Sequence, residues 1–512
     1  MSTIDDYVEH TRMTKNDRIK LADNSLYCSA KDSKSPSYAK DSPSGITTNS
    51  GKLSSRFENL VETLNGRTIE ELNKEKAEEG GILVWPHSFK ECKDELGQMT
   101  VLDCKFHVDG KIESLRTGNL VGWIGDGKAQ IEINSRFSST EGQDYFLYYM
   151  LSKVFHANIV NMEVGAGSLK ELNLLIFMFP RLLREALIQG LFKQYVKREY
   201  NDSNIRGTID VNRHLRYNYP PNGRIAYRTK EFSYDNSLTQ LIRHTIEYMS
   251  TLPMGRAILN GSKEAEESVR MIVQATPSYQ KSARRQVLAD NRKVVSHPYF
   301  TRYKALQRIC LAILRNERIS HGEQSDKVHG MLIDVAWLWE EFLACVLAED
   351  TGFTHHTSDN AFHLFDKGEE TFQKVIPDYL DAENNLVADA KYIPLHRFDR
   401  MDAERAAAVY YKTIMYMYRF NATKGFLFHP CNKVDIEYIK KQQLDERRPR
   451  LLHLNIEENT HLISADYKIV DTEGFLYELG MIIPETNDYE KFIDNMKAIE
   501  NSYNNKIKEL VG

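Results

Sequence analysis

Apolar and polar positions change period several times along the 512 residues, and each change predicts a change of architecture. Over residues 29–55, Ser, Lys, Asp, Pro and Gly crowd out large apolar side chains, so the stretch reads as a linker that buries too little surface to offset ordering. A helical run over 60–79 follows. Between residues 80 and 137 come short β-type runs at 82–85, 101–106, 120–124 and 129–134. Gly-containing turns such as Asp109-Gly110 and Gly125-Asp126-Gly127 separate them and predict a small β-rich domain. From 143 to about 318 apolar residues recur at helical spacing, most clearly Leu169, Leu172, Leu175, Ile176, Phe179, Leu182 and Leu183. A short segment, 205–210, interrupts these helices.

From Val328 onward the pattern is α/β. It predicts a long helix over 331–349, strands at 374–380 and 386–392, a Tyr-rich helix over 401–420, a strand at 425–429 and a C-terminal helix over 489–510. The expected fold class is multidomain α+β. A polar tail and linker with a helix spans 1–79, a β-rich domain 80–142, a helical and partly basic region 143–327, and an α/β domain 328–512.

Hydrophobic content of 41% suffices for several buried cores, so this is a folded chain of more than one domain. Net charge is −5, which rules out a global basic field, but the charge is uneven. Residues 192–230 hold nine Lys/Arg against three Asp/Glu, and 281–308 hold eight against one. Such stripes suit a polyanion that touches part of the surface, or are solvated helix faces. The six cysteines (28, 92, 104, 310, 345, 431) form no C-x-x-C pair and read as free thiols of a reducing compartment. The histidines offer no H-E-x-x-H, and His355, His356 and His363 read as loop residues. The first residues lack a secretion signal, and the longest apolar run, 174–180, is too short to span a bilayer. A soluble, cytoplasmic protein with no membrane partner is expected. No G-x-x-x-x-G-K-[ST] occurs, so the chain is not its own NTP motor.

The candidate chemistry lies at Ile376-Pro-Asp378-Tyr-Leu380 and Val387-Ala-Asp389-Ala-Lys391-Tyr392, joined by the turn Ala382-Glu-Asn-Asn385. A hairpin of this size brings Asp378 and Asp389 to neighbouring positions. Lys391, two residues on, shares Asp389's face. Two carboxylates beside an ammonium suit Mg²⁺, a hard cation that prefers carboxylate oxygens and keeps several waters. The alternative is a surface hairpin with a local ion pair. Against it, Asp389 and Lys391 sit among Leu386, Val387, Ala388 and Ala390, where unpaired charge costs several kcal/mol.

These residues bring a resemblance into view. Pro377-Asp378 followed by Asp389-Ala390-Lys391-Tyr392 resembles the P-D…D-A-K-Y core of the McrC family. That family supplies the nuclease subunit of McrBC-type modification-dependent restriction systems, within the PD-(D/E)xK nuclease superfamily. Trp337-Leu-Trp-Glu340-Glu-Phe342 is similar to its L-F-E-x-F segment, Arg206-Gly207-Thr-Ile209-Asp210 to its R-G-x-I-D element, and Val121-Gly122…Ile131-Glu-Ile133 to its N-terminal β domain. The resemblance spans about residue 80 to the C-terminus. It departs at Ile376, where many relatives carry Arg, at Lys412-Thr-Ile-Met-Tyr416 in place of Q-x-x-x-Y, and at residues 131–136, where I-x-I-x-P-K lacks its proline.

The resemblance implies a C-terminal PD-(D/E)xK nuclease domain and Mg²⁺-dependent cleavage of double-stranded DNA, methylated DNA included. Asp378 and Asp389 would be metal ligands, Lys391 a catalytic lysine and Glu340 an auxiliary acid, with Lys412, Tyr416 and Arg206 as candidate DNA contacts. Glu340 lies round from the apolar stripe Val335, Leu338, Trp339, Phe342 and Val346, so a solvated glutamate is the other reading. Tyr410, Tyr411, Tyr416 and Tyr418 suit either DNA contact or core packing. An AAA+ GTPase ring of the McrB type, docked through the N-terminal β domain, would be the partner. A non-catalytic adaptor that keeps the fold for DNA binding or motor activation, and a stand-alone repair nuclease, are the other functional classes.

Overall fold

A computed structural model describes residues 18–28, 40–41, 53–74, 81–87, 98–126, 128–139, 143–155, 175–320, 328–348, 351–356, 362–368, 370–395, 403–443 and 453–511. It is a mixed α/β structure in two compact units. The first comprises Met1–Val154, Glu163–Leu172 and Gly322–Gly512; the second comprises Phe155–Met162 and Asn173–His321.

The first unit holds two sheets near its N-terminal end. One is five-stranded, in the order Arg18–Ala22, Gln130–Asn134, Leu120–Gly125, His329–Asp334, Ile82–Trp85. The other is four-stranded, in the order Lys40–Asp41, Leu26–Cys28, Ile112–Thr117, Leu102–Phe106. Helix Ser55–Leu64 places Phe57, Leu60, Val61 and Leu64 in one buried cluster with Ile19, Val84, Leu115, Ile131 and Leu332. The four runs expected to be strands between 80 and 137 are strands. Two other expectations change. Part of the expected polar tail is structural, because Arg18–Ala22 alternates exposed and buried side chains and pairs in parallel with Gln130–Asn134. Most of the expected linker at 29–55 lies outside the described residues, as do Leu169, Leu172 and Cys92.

The long helix expected over 331–349 begins later. His329–Asp334 is a strand inserted between Leu120–Gly125 and Ile82–Trp85, and helix α1 is Val335–Ala348. Asp334 sets this boundary, because its Oδ1 accepts from the backbone N–H groups of Ala336 (3.0 Å) and Trp337 (3.3 Å), as a helix N-cap does. Gly122, at φ +136°, allows the neighbouring strand to approach; a Cβ there would lie 2.1 Å from the Met331 carbonyl oxygen.

A seven-stranded sheet carries the candidate site. Its order is β1 (Thr354–His355), β2 (Tyr379–Asp381), β3 (Leu386–Ala390), β4 (Lys424–Cys431), then Phe475–Ile482, Leu462–Lys468 and Asn455–Glu457. β3, β4 and Phe475–Ile482 run parallel, and helix α2 (Ala403–Arg419) connects β3 to β4. Seven of the eight residues of β4 are buried, as a central parallel strand covered on both faces requires. Trp339 on α1 donates from Nε1 to the Phe428 carbonyl oxygen (3.4 Å), and Asn504 on helix Tyr489–Val511 donates to that of Val346 (3.0 Å).

The second unit packs helices Leu175–Ile188, Ser237–Thr251, Lys263–Ala275 and Tyr303–Ser320 beside a three-stranded antiparallel sheet. Its strands, Gln194–Asp202, Ile225–Ser233 and Thr208–Ile209, occupy the first basic stretch, which was expected to be mainly helical. Alternating exposure along both long strands is the period-two signal that the charge count obscured. Much of that positive charge is matched locally. Arg228 pairs with Asp210 (2.6 Å) and Glu199 (3.1 Å), Arg213 with Glu199 (3.4 Å), and Arg198 with Glu231 (3.5 Å).

Candidate active site

The hairpin β2–β3 is built by its turn. Asp381 is buried, and its Oδ1 accepts from the backbone N–H groups of Glu383 (3.1 Å) and Asn384 (3.0 Å). Asn385 takes the left-handed conformation (φ +54°) that asparagine tolerates better than most residues. This turn fixes the register at Tyr379 opposite Ala388 and Leu380 opposite Val387. One step further, Asp378 faces Asp389, as the sequence predicted. Asp378 Oδ2 accepts from the Ala390 N–H (2.7 Å), which ties the two strand ends together.

Asp389 is fully buried. Its Oδ2 pairs with the ammonium of Lys391, which shares its face, and its Oδ1 lies 3.5 Å from the ammonium of Lys412 on α2. The Lys391 N–H donates to the Phe428 carbonyl oxygen (2.8 Å), so the ladder continues past β3. Burial alone pushes the Asp389 carboxyl up, but Lys391 and Lys412 outweigh it and hold the group below the usual carboxylate range. Asp378 goes the other way. Burial, then the charges of Asp389 and Glu340, raise it well above that range.

A buried and a partly buried carboxylate, with oxygen donors side by side, fit a hard divalent cation, whose charge would relieve their mutual repulsion. Glu340 stands apart. Its Oε1 meets His355 Nε2 at 3.0 Å, and its backbone carbonyl accepts from the Tyr379 hydroxyl. Among the described residues no three His, Cys, Asp or Glu side chains converge closely enough to hold a metal ion by themselves. The geometry therefore brings Asp378, Asp389, Lys391 and Lys412 together, and keeps Glu340 near enough only to affect Asp378 electrostatically.

A family model described as McrBC 5-methylcytosine restriction system component matches residues 115–430. The chain belongs to this McrBC family. Among solved structures it is similar to a chain of the refined half-complex from a tetradecameric assembly of Thermococcus gammatolerans McrB AAA+ hexamers with bound McrC. Identity there is 13% and the TM-score 0.39, over 95% of this chain and 99% of that one. A chain of the cryo-EM structure of the Thermococcus gammatolerans McrBC complex matches at 13% identity and TM-score 0.26, over 65% and 88%. No curated protein matches.

The remaining candidates of this McrBC-family chain fall in different places. Tyr416, expected at a DNA surface, is buried, and its hydroxyl donates to the Ile376 carbonyl oxygen (2.7 Å). Tyr411 and Tyr418 are the exposed members of that helix, while Tyr410 donates to Glu478 (3.0 Å). Arg206 lies in the second unit, half-exposed, with its Nε donating to the Tyr227 hydroxyl (3.2 Å) and its guanidinium 3.6 Å from Asp202. Sequence reasoning missed three contacts of the site. His355 was read as a loop residue but forms part of β1 and faces Glu340. Lys412, a candidate DNA contact, also faces Asp389 with its ammonium. Arg136 lies behind Tyr392, its guanidinium 4.2 Å from the ring centre. Only the helical i, i+4 spacing of Lys412 and Tyr416 hinted at any of these.

Proposed function

We propose that the chain is the DNA endonuclease subunit of an McrBC-like restriction complex, and that residues 328–512 form a PD-(D/E)xK nuclease domain. The observation that carries this reading is the juxtaposition of Asp378, Asp389 and Lys391 at the end of one hairpin, in a chain of the McrBC family. Asp378 and Asp389 would hold Mg²⁺. When bound there, the ion supplies Lewis-acid stabilisation of the charge that develops on a scissile phosphate. Lys391, an ammonium paired with Asp389, is placed to orient an attacking water. Glu340, steadied by His355, acts as the auxiliary acid at the rim, and double-stranded DNA, methylated DNA included, is the substrate.

The partner is an AAA+ GTPase ring of the McrB type, stimulated through the β-rich region at 80–142. Deleting residues 1–140 would strip four of the five strands from the sheet that includes His329–Asp334, so point variants test this coupling better than truncation does. No described helix is long and apolar enough to cross a membrane. The test is cleavage of methylated and unmethylated plasmid by the full chain, with and without the GTPase, GTP and Mg²⁺. Cutting that requires Mg²⁺ and all partners supports the restriction reading. GTPase stimulation without cutting would support the adaptor, and cutting without the GTPase would support a stand-alone nuclease.

A further inference from the structure

Strands Phe362–Lys367 and Glu370–Val375 form a two-stranded sheet of their own, and none of the roles above uses it. We propose that this hairpin is a docking arm for duplex DNA, with its outer face in the major groove within about six base pairs of the scissile phosphate. This rests on the reading of Asp378 and Asp389 as the nuclease site.

Placement is the first support. The second strand of the hairpin runs through Val375, Ile376 and Pro377 directly into Asp378. From Phe372 to Asp378 the chain can span at most about 20 Å, the rise of about six base pairs. The arm is fixed at its base. The Phe362 ring packs on Phe420 (4.9 Å), and Phe362 and Leu364 join Val375, Tyr416 and Met417 in one apolar cluster. Arg419 Nε on α2 donates to the His363 carbonyl oxygen (2.8 Å). Helix α2 thus presents Lys412 at Asp389 and, about 10 Å further along its axis, Arg419 at the base of the arm.

The outer face is the second. Inward packing takes Phe362 and Leu364, so alternation turns His363 and Phe365 outward, opposite Lys374 and Phe372. Phe365 and Phe372 are 51% and 52% exposed, with ring centres 5.3 Å apart. Their pairing steadies the hairpin, yet it leaves about half of each ring in water, side by side, where one partner surface could cover both.

Charge and width select the partner. Lys374 and Arg419 are exposed, and among the described residues neither has an acidic side chain within ion-pair distance. At the tip Lys367 stands opposite Glu370 and offsets it, while Asp366 alternates to the other face. The outer face is therefore cationic at its base and aromatic in its middle, a combination that can hold a phosphate backbone while touching base edges. Two strands about 5 Å apart, with their side chains, fit a groove about 12 Å wide and are too broad for one of about 6 Å, which selects the major groove.

The experiment measures binding of a short fluorescent duplex by the full chain without divalent cations, over a range of salt concentrations, and repeats it with one of the single strands. Phe365→Thr/Phe372→Thr keeps β-forming residues in both strands and should raise the duplex Kd about tenfold with the salt slope unchanged, because an apolar contact releases no counterions. Lys374→Gln should lower the salt slope by about one, the mark of one lost phosphate contact. Both variants should stimulate the partner's GTP hydrolysis as the parent does. Unchanged duplex affinity in the Phe variant, or an unchanged slope in Lys374→Gln, with the parent still cutting DNA, would overturn the inference alone. So would a loss confined to the single strand, or lost GTPase stimulation with duplex binding intact, the latter in favour of a protein partner. A parent that neither binds duplex nor cuts it would remove the nuclease reading and this inference with it.

Discussion

Replacing Arg136 with Met should destabilise the first unit by about 3–5 kcal/mol, the range for removing one partner of a buried ion pair. Arg136 and Asp23 are both buried, with Nη1 3.8 Å from Asp23 Oδ2. The Arg136 N–H also donates to Asp23 Oδ1, and Nη2 donates to the Pro430 carbonyl oxygen (3.2 Å). The guanidinium lies over the rings of Tyr392 (4.2 Å) and Phe137 (4.7 Å), contacts worth about 0.5–2 kcal/mol in all. Methionine keeps most of the apolar stem, so little of the loss comes from packing. The cost comes from taking away the cation that faces a buried carboxylate. The double variant Asp23→Asn/Arg136→Met should therefore lose less than Arg136→Met alone, because the buried carboxylate is removed together with the cation that faces it. All four tryptophans (85, 123, 337, 339) lie in this unit, so urea unfolding followed by tryptophan fluorescence reports on it directly. A loss under about 1 kcal/mol for Arg136→Met, or a double variant as damaged as the sum of the singles, would refute the reasoning. Since Tyr392 directly follows Lys391, the same result decides whether the N-terminal strands support the candidate site.

Asp378→Ala and Asp389→Ala should each lower cleavage by several orders of magnitude while leaving partner GTPase stimulation intact. Normal cutting by either would remove the site from consideration. Lys391→Arg keeps a cation but makes it planar and permanently protonated, so cleavage should be nearly lost while DNA binding, measured by mobility shift, changes little. His244 is buried in the second unit, and among the described residues neither ring nitrogen has a hydrogen-bond partner. Burial, then the Arg284 charge, lowers it to about 4. Its folded value is depressed, so the unfolded chain takes up the proton first. The contribution to stability is complete above about pH 6.5 and is lost as pH falls toward 4. Between pH 7.5 and 5 the loss should be about 2 kcal/mol, read as amide-exchange protection in helix Ser237–Thr251 and absent in His244→Phe. Equal protection at both pH values in the parent would refute it.

Local pattern determined the short-range features. The strands between 80 and 137, the Tyr-rich helix and the pairing of Asp378 with Asp389 follow from period, turn residues and hairpin length, all of which act over a few residues. Lys391 shares Asp389's face for the same reason, since side chains alternate along a strand. The tertiary structure alone decided what depends on distant partners. Met331-Leu-Ile333 has the composition of a helix start, yet it becomes a strand because two sheet edges are there to receive it and Asp334 caps the helix just beyond. The basic stretch 192–230 reads as a patch in one dimension, but much of its charge is matched by residues up to 33 positions away. Tyr416 and Lys412 are one helical turn apart, and nothing local says that one anchors at Ile376 while the other faces Asp389. Arg136 reaches Tyr392 across 256 residues, a contact that only the packing of the first unit against its own C-terminal sheet can form.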